Sequence, residues 1–386
     1  MKITKIIFFL SIFLIFTVST SFAQSGGKDI SENKVSGKNS EKVRFLNSAN
    51  LSRFIEELNE LGKLGYRVDR AFNFGGDANL SQGFGAVLNL ESGNTYEYDW
   101  LTSPNKNYLE SRINFRAESG YYAVQTFALT ACDDKTFESD IEPLPQNSTF
   151  LRLTKGDVFL LERKNGNVKK TKDYKVFVGK IGIGKNPSKE LQTALDTVSK
   201  EYRPFKILFN RGGLLDFSVS ILLEDDLNQE VSQKTDYKFV KQINGFEKEV
   251  NSPARNGYRF LSGRRVGMIK YALMAKDSDT AVSYNFIDQN KYEKDLAKNF
   301  KQGDVFQSLF IGDSDCDASK TTGGKLVFLQ PGKDARTADH KYLRLTDKKN
   351  NSPTDETATE VKRLLAESYR ISDVFYSDGV VLVFTK

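Results

Sequence analysis

The chain has 386 residues, of which 39% are hydrophobic, 27% charged and 12% aromatic, with a formal net charge of +6, one His, two Cys and one Trp. A single His excludes sites built on paired imidazoles, including the H-E-x-x-H metalloprotease helix. Two Cys exclude iron–sulfur clusters, Cys-rich zinc modules and disulfide-dense scaffolds.

In chain order, residues 1–23 read first, as a secretory signal peptide. Lys2 and Lys5 give a positive start, Ile6 to Val18 form an apolar run interrupted by Ser11 and Thr17, and Ser21 and Ala23 are the small residues before a cut at Gln24. The run is too short for a comfortable membrane span, and no Cys follows the cut to carry a lipid. Cleavage removes two Lys and no acid, lowering the net charge from +6 to +4. So small a charge argues against a nucleic-acid surface. No membrane span is expected after signal cleavage, since no later stretch approaches roughly eighteen apolar residues in a row. The expected location is the periplasm or the cell exterior. Residues 24–41 are polar, with Gly and Ser, and read as a flexible leader.

From 42 onward one pattern recurs: an aromatic strand, an amphipathic helix, a tyrosine opening a second strand, then a third strand. In 42–94, Leu51, Phe54, Ile55, Leu58 and Leu61 share one helix face, Gly62 and Gly65 end the helix, and Tyr66-Arg67-Val68 opens the second strand. In 95–166 the markers are Leu109, Ile113, Ala117 and Gly120-Tyr121. In 173–226 they are Asp173-Tyr174-Lys175, a helix starting at Asn186-Pro187, and Tyr202-Arg203. In 236–279, Asp236-Tyr237-Lys238 opens the pattern, Pro253 shortens the helix, and Tyr258-Arg259 follows. The 281–332 copy is the most degraded, with Tyr292, Leu296 and Phe300 on its helix face. In 339–386, Asp339-His340-Lys341 opens, Ser352-Pro353 followed by Asp355-Glu356 starts the helix, and Tyr369-Arg370 precedes a hairpin at Asp378-Gly379.

The predicted fold class is therefore α+β: six tandem β-α-β-β units of about 61 residues, with antiparallel sheets, helices on one face, and the third strand lying between the first and second. One such unit is marginal alone, so units must pair or stack. Ferredoxin-like pairing, a linear array and a closed pseudo-symmetric body all satisfy that need. The other sheet face is solvated or packed on another copy.

The segment Glu57 to Val68 (ELNELGKLGYRV) resembles a small uncharacterised bacterial domain with the helix motif L-N-x-x-G-x-x-G-[WY]; Leu58, Asn59, Gly62, Gly65 and Tyr66 match. The resemblance supports the same β-α-β-β order and implies no activity.

Several motifs invite a chemical reading. Gly179 to Asn186 (GKIGIGKN) has the strand–loop–helix context of a phosphate loop, but Asn186 replaces the Ser or Thr that holds Mg²⁺, and a glycine-rich connector is the expected reading. Asp313, Asp315 and Asp317 have the D-x-D-x-D opening of a calcium loop, a weak Ca²⁺ candidate because Ala318 and Gly324 stand where an EF-hand needs Gly and Glu. His340 replaces a repeat tyrosine and reads as structural rather than catalytic. Adjacent acids such as Glu56-Glu57, Asp133-Asp134 and Asp225-Asp226 point apart and read as surface. Basic clusters at 164–172, Arg264-Arg265 and Lys348-Lys349 read the same way. Cys132 and Cys316 follow the second strands of copies two and five. They can form a disulfide if the halves pair about a pseudo-two-fold axis, and are free thiols in a linear array.

No cofactor and no catalytic residue is expected. The chain reads as an exported, non-enzymatic binding or scaffold module for a protein or glycan partner. The alternatives are a carboxylate-based hydrolase of envelope or extracellular glycan, signalled by acids converging in one cleft, and a structural subunit of an envelope assembly.

Overall fold

The computed structural model describes residues 41–48, 51–74, 83–102, 106–131, 154–181, 186–197, 202–211, 217–227, 235–243, 245–266, 269–288, 291–311, 324–330, 339–345, 353–376 and 379–386. All of them belong to one compact body, Glu41–Lys386. Residues 1–40, where a signal peptide and most of a flexible leader are expected, lie outside the described residues.

Six helices and eighteen strands are described, and each helix follows one strand and precedes two. The first four are β1 (Val43–Ser48), α1 (Leu51–Lys63), β2 (Tyr66–Phe74) and β3 (Gly83–Leu90). Next come β4 (Tyr96–Thr102), α2 (Lys106–Glu118), β5 (Tyr122–Ala131) and β6 (Thr154–Lys164), then β7 (Lys172–Ile181), α3 (Pro187–Thr197), β8 (Tyr202–Arg211) and β9 (Phe217–Asp226). The second half holds β10 (Tyr237–Lys241), α4 (Phe246–Ala254), β11 (Tyr258–Val266) and β12 (Ile269–Lys276), then β13 (Ser283–Asp288), α5 (Tyr292–Lys301), β14 (Val305–Ile311) and β15 (Lys325–Gln330). The chain closes with β16 (His340–Arg344), α6 (Asp355–Ala366), β17 (Arg370–Tyr376) and β18 (Val380–Thr385).

Local chemistry sets the helix limits. Gly65, Gly120 and Gly257 take φ of 90°, 83° and 82° just past their helices, where only Gly is unstrained. Ser368 holds the corresponding place after α6 at φ 69°. Pro253 sits in the last turn of α4, which runs only nine residues. The cap of α6 is Thr354, whose hydroxyl accepts from the Thr357 N–H at 3.2 Å. The helix start thus lies two residues beyond the Ser352 that opens the sequence signal.

The strands form antiparallel ladders in the orders β1-β3-β2, β4-β6-β5, β7-β9-β8 and β16-β18-β17. The remaining six strands make one sheet, β10-β12-β11-β14-β15-β13, because β11 and β14 pair in parallel at Gly263–Phe310 and Arg264–Ile311. That is the single place where two three-stranded ladders join edge to edge among the described residues.

Elsewhere the sheets meet through helices. Phe54, Leu58 and their neighbours on α1 pack on β3 and also on Tyr96, Tyr98 and Leu160 of the next sheet. In the same way α2 lies between β6 and β9, and α3 between β9 and β12. Leu296 of α5 packs with Val381 and Val383 of β18. Val361 and Leu364 of α6 pack with Val43 and Val87 of the first sheet. The last segment therefore touches the first. Strand contacts complete the same cycle: β2 contacts β5, the ladder partner β6 of β5 contacts β8, β8 contacts β11, β11 contacts β14, β14 contacts β17, and β17 contacts β2. Of the arrangements open to the sequence, this is the closed one. Among the described residues no helix is long and apolar enough to cross a membrane.

Candidate functional site

Each second strand carries one bulge, at Val68/Arg70, Ala123/Gln125, Pro204/Lys206, Phe260/Ser262, Phe306/Ser308 and Ile371/Asp373. A bulge bends its strand and re-aims the residue after it. That residue is polar in all six strands: Arg70, Gln125, Lys206, Ser262, Ser308 and Asp373. The same register place in all six segments thus carries a polar side chain.

Two of them seal junctions. The Gln125 amide bonds the Ala71 backbone in both directions, accepting from Ala71 N–H at 2.8 Å and donating to Ala71 C=O. The Arg70 guanidinium donates to the carbonyls of Ile371 and Ser372 at 3.1 and 2.7 Å. Arg264 of β11 pairs with Asp157 of β6 at 2.5 Å, and both side chains are almost wholly buried.

The bulge N–H groups are also satisfied from the first strand of the following segment. Tyr98, Tyr174 and Tyr284 accept from the backbones of Val68, Ala123 and Phe260 at 2.9, 2.8 and 2.8 Å. Pro204 stands at this place in β8 and has no N–H to offer.

Beside these bulges lies a groove of about 420 Å³, lined by β2, β5, β8 and the paired ends of β7 and β9. Its ionisable walls are Arg67, Asp69, Arg70, Lys172 and Glu224, with Tyr122, Gln125 and Phe205 between them. Behind the wall Glu162 is fully buried. It accepts from Arg67 Nε at 3.0 Å and from the Tyr122 hydroxyl at 2.6 Å. Burial pushes the Glu162 carboxyl above the ordinary carboxylate range, while Tyr122 and Arg67 pull it back. Burial acts against the Arg67 charge, yet Glu162, Tyr122 and Glu91 together hold its pKa above the ordinary arginine value. Glu224 and Asp69 are also raised, each first by burial, with Lys172 opposing at Glu224 and Arg70 opposing at Asp69. Lys172 lies 3.4 Å from Glu224 and 3.2 Å from Asp226. The groove thus offers fixed donors and acceptors of both signs. Glu162 and Glu224, the acids that could form an acid/base couple, are already engaged by protein cations.

Of the residues read as surface in the sequence, Lys172 instead lines the groove beside Glu224, and Arg264 is buried because Asp157 pairs with it; Asp225 is buried as well, and the other residues singled out lie elsewhere. His340 opens β16, is buried, and takes the place that Tyr174 and Tyr237 have near the starts of their strands. Burial is the main influence on its imidazole and holds the pKa below 6.5, against the pull of Asp339 and a backbone contact with Phe384. The Asp-x-Lys opener has a structural use: Asp173 and Asp339 accept from the Tyr202 and Tyr369 hydroxyls. Lys175 and Lys341 lie 4.2 and 4.6 Å over the same two rings. Gly179 is needed for close packing, since a Cβ there would come within 2.8 Å of Pro187; residues 182–185 of the glycine-rich connector lie outside the described residues. So do Asp313, Asp315 and Asp317, and so do Cys132 and Cys316. Among the described residues no group of three His, Cys, Asp or Glu side chains is placed to hold a metal ion.

No protein-family model matches the chain, and no curated protein or solved structure matches it either.

Proposed function

We propose that the chain is an exported, non-enzymatic binding module made of six copies of one β-α-β-β unit closed into a ring, acting in the periplasm or outside the cell. The groove beside the β2, β5 and β8 bulges is its recognition site, with a polar segment of a protein or glycan as partner. The copy reading rests on a contact made four times over. An amide on each of α1 to α4 (Asn59, Asn114, Gln192 and Asn251) grips the backbone of the following edge strand at Tyr98, Tyr174, Tyr237–Phe239 and Tyr284. In 42–94 the gripping residue is the Asn of the motif that resembles the small bacterial domain.

One observation carries the binding reading over hydrolysis: the buried Glu162 and the groove-facing Glu224 are held by Arg67, Tyr122 and Lys172. A glycosidase needs one carboxylic acid and one carboxylate both open to the substrate. The test is a binding screen of the mature chain against soluble polysaccharides and peptides, with Phe205→Trp as the groove-filling variant. Wild-type binding that Phe205→Trp abolishes, with unchanged circular dichroism and no cleavage product, supports the reading. Cleavage that disappears in Asp69→Asn or Glu224→Gln would establish the hydrolase instead.

A further inference from the structure

We propose that the ring opens reversibly at one place, the seam between the last segment (339–386) and the first (42–94), and that Arg70 is the latch that closes it. The proposal stands whether or not the groove is a recognition site.

It begins with connectivity. At the other five junctions the third strand of one segment leads along the chain into the first strand of the next, as from β3 to β4 or from β6 to β7. The seam joins β1 and α6 from opposite ends of the described body, so no such tether limits their separation.

The locks of the other junctions are missing there too. Asn59, Asn114 and Asn251 each stand seven residues ahead of a second-strand Tyr and hold both the N–H and the C=O of one edge residue, Tyr98, Tyr174 and Tyr284. Gln192 does the same across Tyr237 and Phe239. In α6 the place seven ahead of Tyr369 is Lys362. Its ammonium reaches the Glu41 side chain at 3.2 Å, in a pair exposed on both sides, and such pairs contribute little. Among the described residues no α6 side chain bonds the β1 backbone. Tyr98, Tyr174 and Tyr284 also accept the bulge N–H of the preceding segment. Val43 stands at their register place, opposite Asn89 as Tyr98 is opposite Glu162, and has no hydroxyl to offer. At the α5–β16 junction His340 takes the tyrosine place, yet Arg344 donates to the Tyr292 hydroxyl at 3.0 Å and pairs with Glu293.

What crosses the seam to a backbone is Arg70 of β2, which donates to the carbonyls of Ile371 and Ser372 on β17 at 3.1 and 2.7 Å. The rest of the seam is the core that Val361 and Leu364 of α6 share with Val43, Phe72 and Val87. Proteins open first where the local free energy of opening is lowest. Here an apolar contact and one guanidinium stand where other junctions add a tether, an amide grip and a hydroxyl. Arg70 also lines the groove, so opening the seam withdraws one groove wall.

The experiment is maleimide labelling of the whole mature chain under native conditions, with one cysteine added at matching sites. Val87, Leu160 and Val327 hold the same register place in their central strands, share a core with the preceding helix, and are buried. Peptide mapping separates the added label from any on Cys132 or Cys316. Val87→Cys should label at least about tenfold faster than Leu160→Cys or Val327→Cys, because the seam lacks their hydrogen bonds. Each rate is corrected for the global unfolding of its variant. Arg70→Met should speed labelling of Val87→Cys and leave Val327→Cys unchanged. Val43→Cys and Arg70→Gln serve the same comparisons if the first variants fail to fold. Equal corrected rates at the three sites, or seam labelling that the Arg70 variants leave unchanged, overturns the proposal.

Discussion

Single residues set the helix exits and the edge strands. Ser368 holds φ 69° where Gly65, Gly120 and Gly257 stand in earlier segments. A left-handed conformation costs a non-Gly residue about 1–2 kcal/mol. Ser368→Gly should therefore raise stability by about 1 kcal/mol in urea unfolding. Asn59→Ala should do the reverse. It removes two bonds, at 2.9 and 2.7 Å, from the Tyr98 backbone and leaves a half-buried edge unpaired, at a cost of about 1–3 kcal/mol. His340 makes a pH prediction. Its folded-state pKa lies below 6.5, so the unfolded chain takes up the proton first as pH falls. Its contribution is present at neutral pH and is lost as pH drops below about 6.5. His340→Phe should flatten the Tm–pH curve in that window. The chain has one His, so the difference between the two curves reports it alone.

At the scale of the element, Gly62 reverses an ordinary rule. Within α1, Gly→Ala should favour the helix by about 1 kcal/mol on propensity alone. A Cβ at Gly62, however, would lie 2.2 Å from the Tyr96 carbonyl oxygen of the next edge strand. Gly62→Ala should thus destabilise the protein in chemical unfolding, because α1 and β4 must separate. Element order, helix faces and the bulk of strand limits were legible in the sequence, since they depend on periodicity and on Gly and Pro. The ring was less legible, although a signal was present. Central strands such as Val380–Thr385, buried over its first five residues, are unbroken apolar runs rather than alternating ones. Such a run means cover on both faces, which fits a helix on each side better than a solvated back. The polar residues that follow the second-strand bulges were missed for a related reason. Lys206 and Asp373 interrupt apolar strands, and only closure brings them together. The signal was the residue four after each second-strand Tyr, as at Tyr66, Tyr121, Tyr202, Tyr258 and Tyr369, which is polar every time.

At the scale of the whole molecule, closure rests on the contact between the last segment and the first. Lys362 reaches Glu41 at 3.2 Å, and α6 shares a core with Val43 and Val87. Chain ends carried by segments in contact can be joined by a flexible linker. A circular permutant linking Lys386 to Glu41 and opened between 228 and 234 should keep the wild-type Tm within a few degrees and a single unfolding transition. Deleting 339–386 should instead expose the Leu296 and Val87 cores and abolish cooperative unfolding. If the truncated chain kept one sharp transition at the original Tm, the ring would not be a cooperative whole.

A ring also fixes an order of events in time. Sheets β1-β3-β2 and β16-β18-β17 sit at opposite ends of the chain, yet α6 of the last segment shares one core with both. While the chain is emerging from its N-terminus, the first sheet waits with one side bare until the final strand has been made. Sealing is therefore the last step and is governed by the slow search between distant ends. Until then the polypeptide stays open enough to be threaded lengthwise, and any chain cut short carries two unsealed faces that mark it as unfinished.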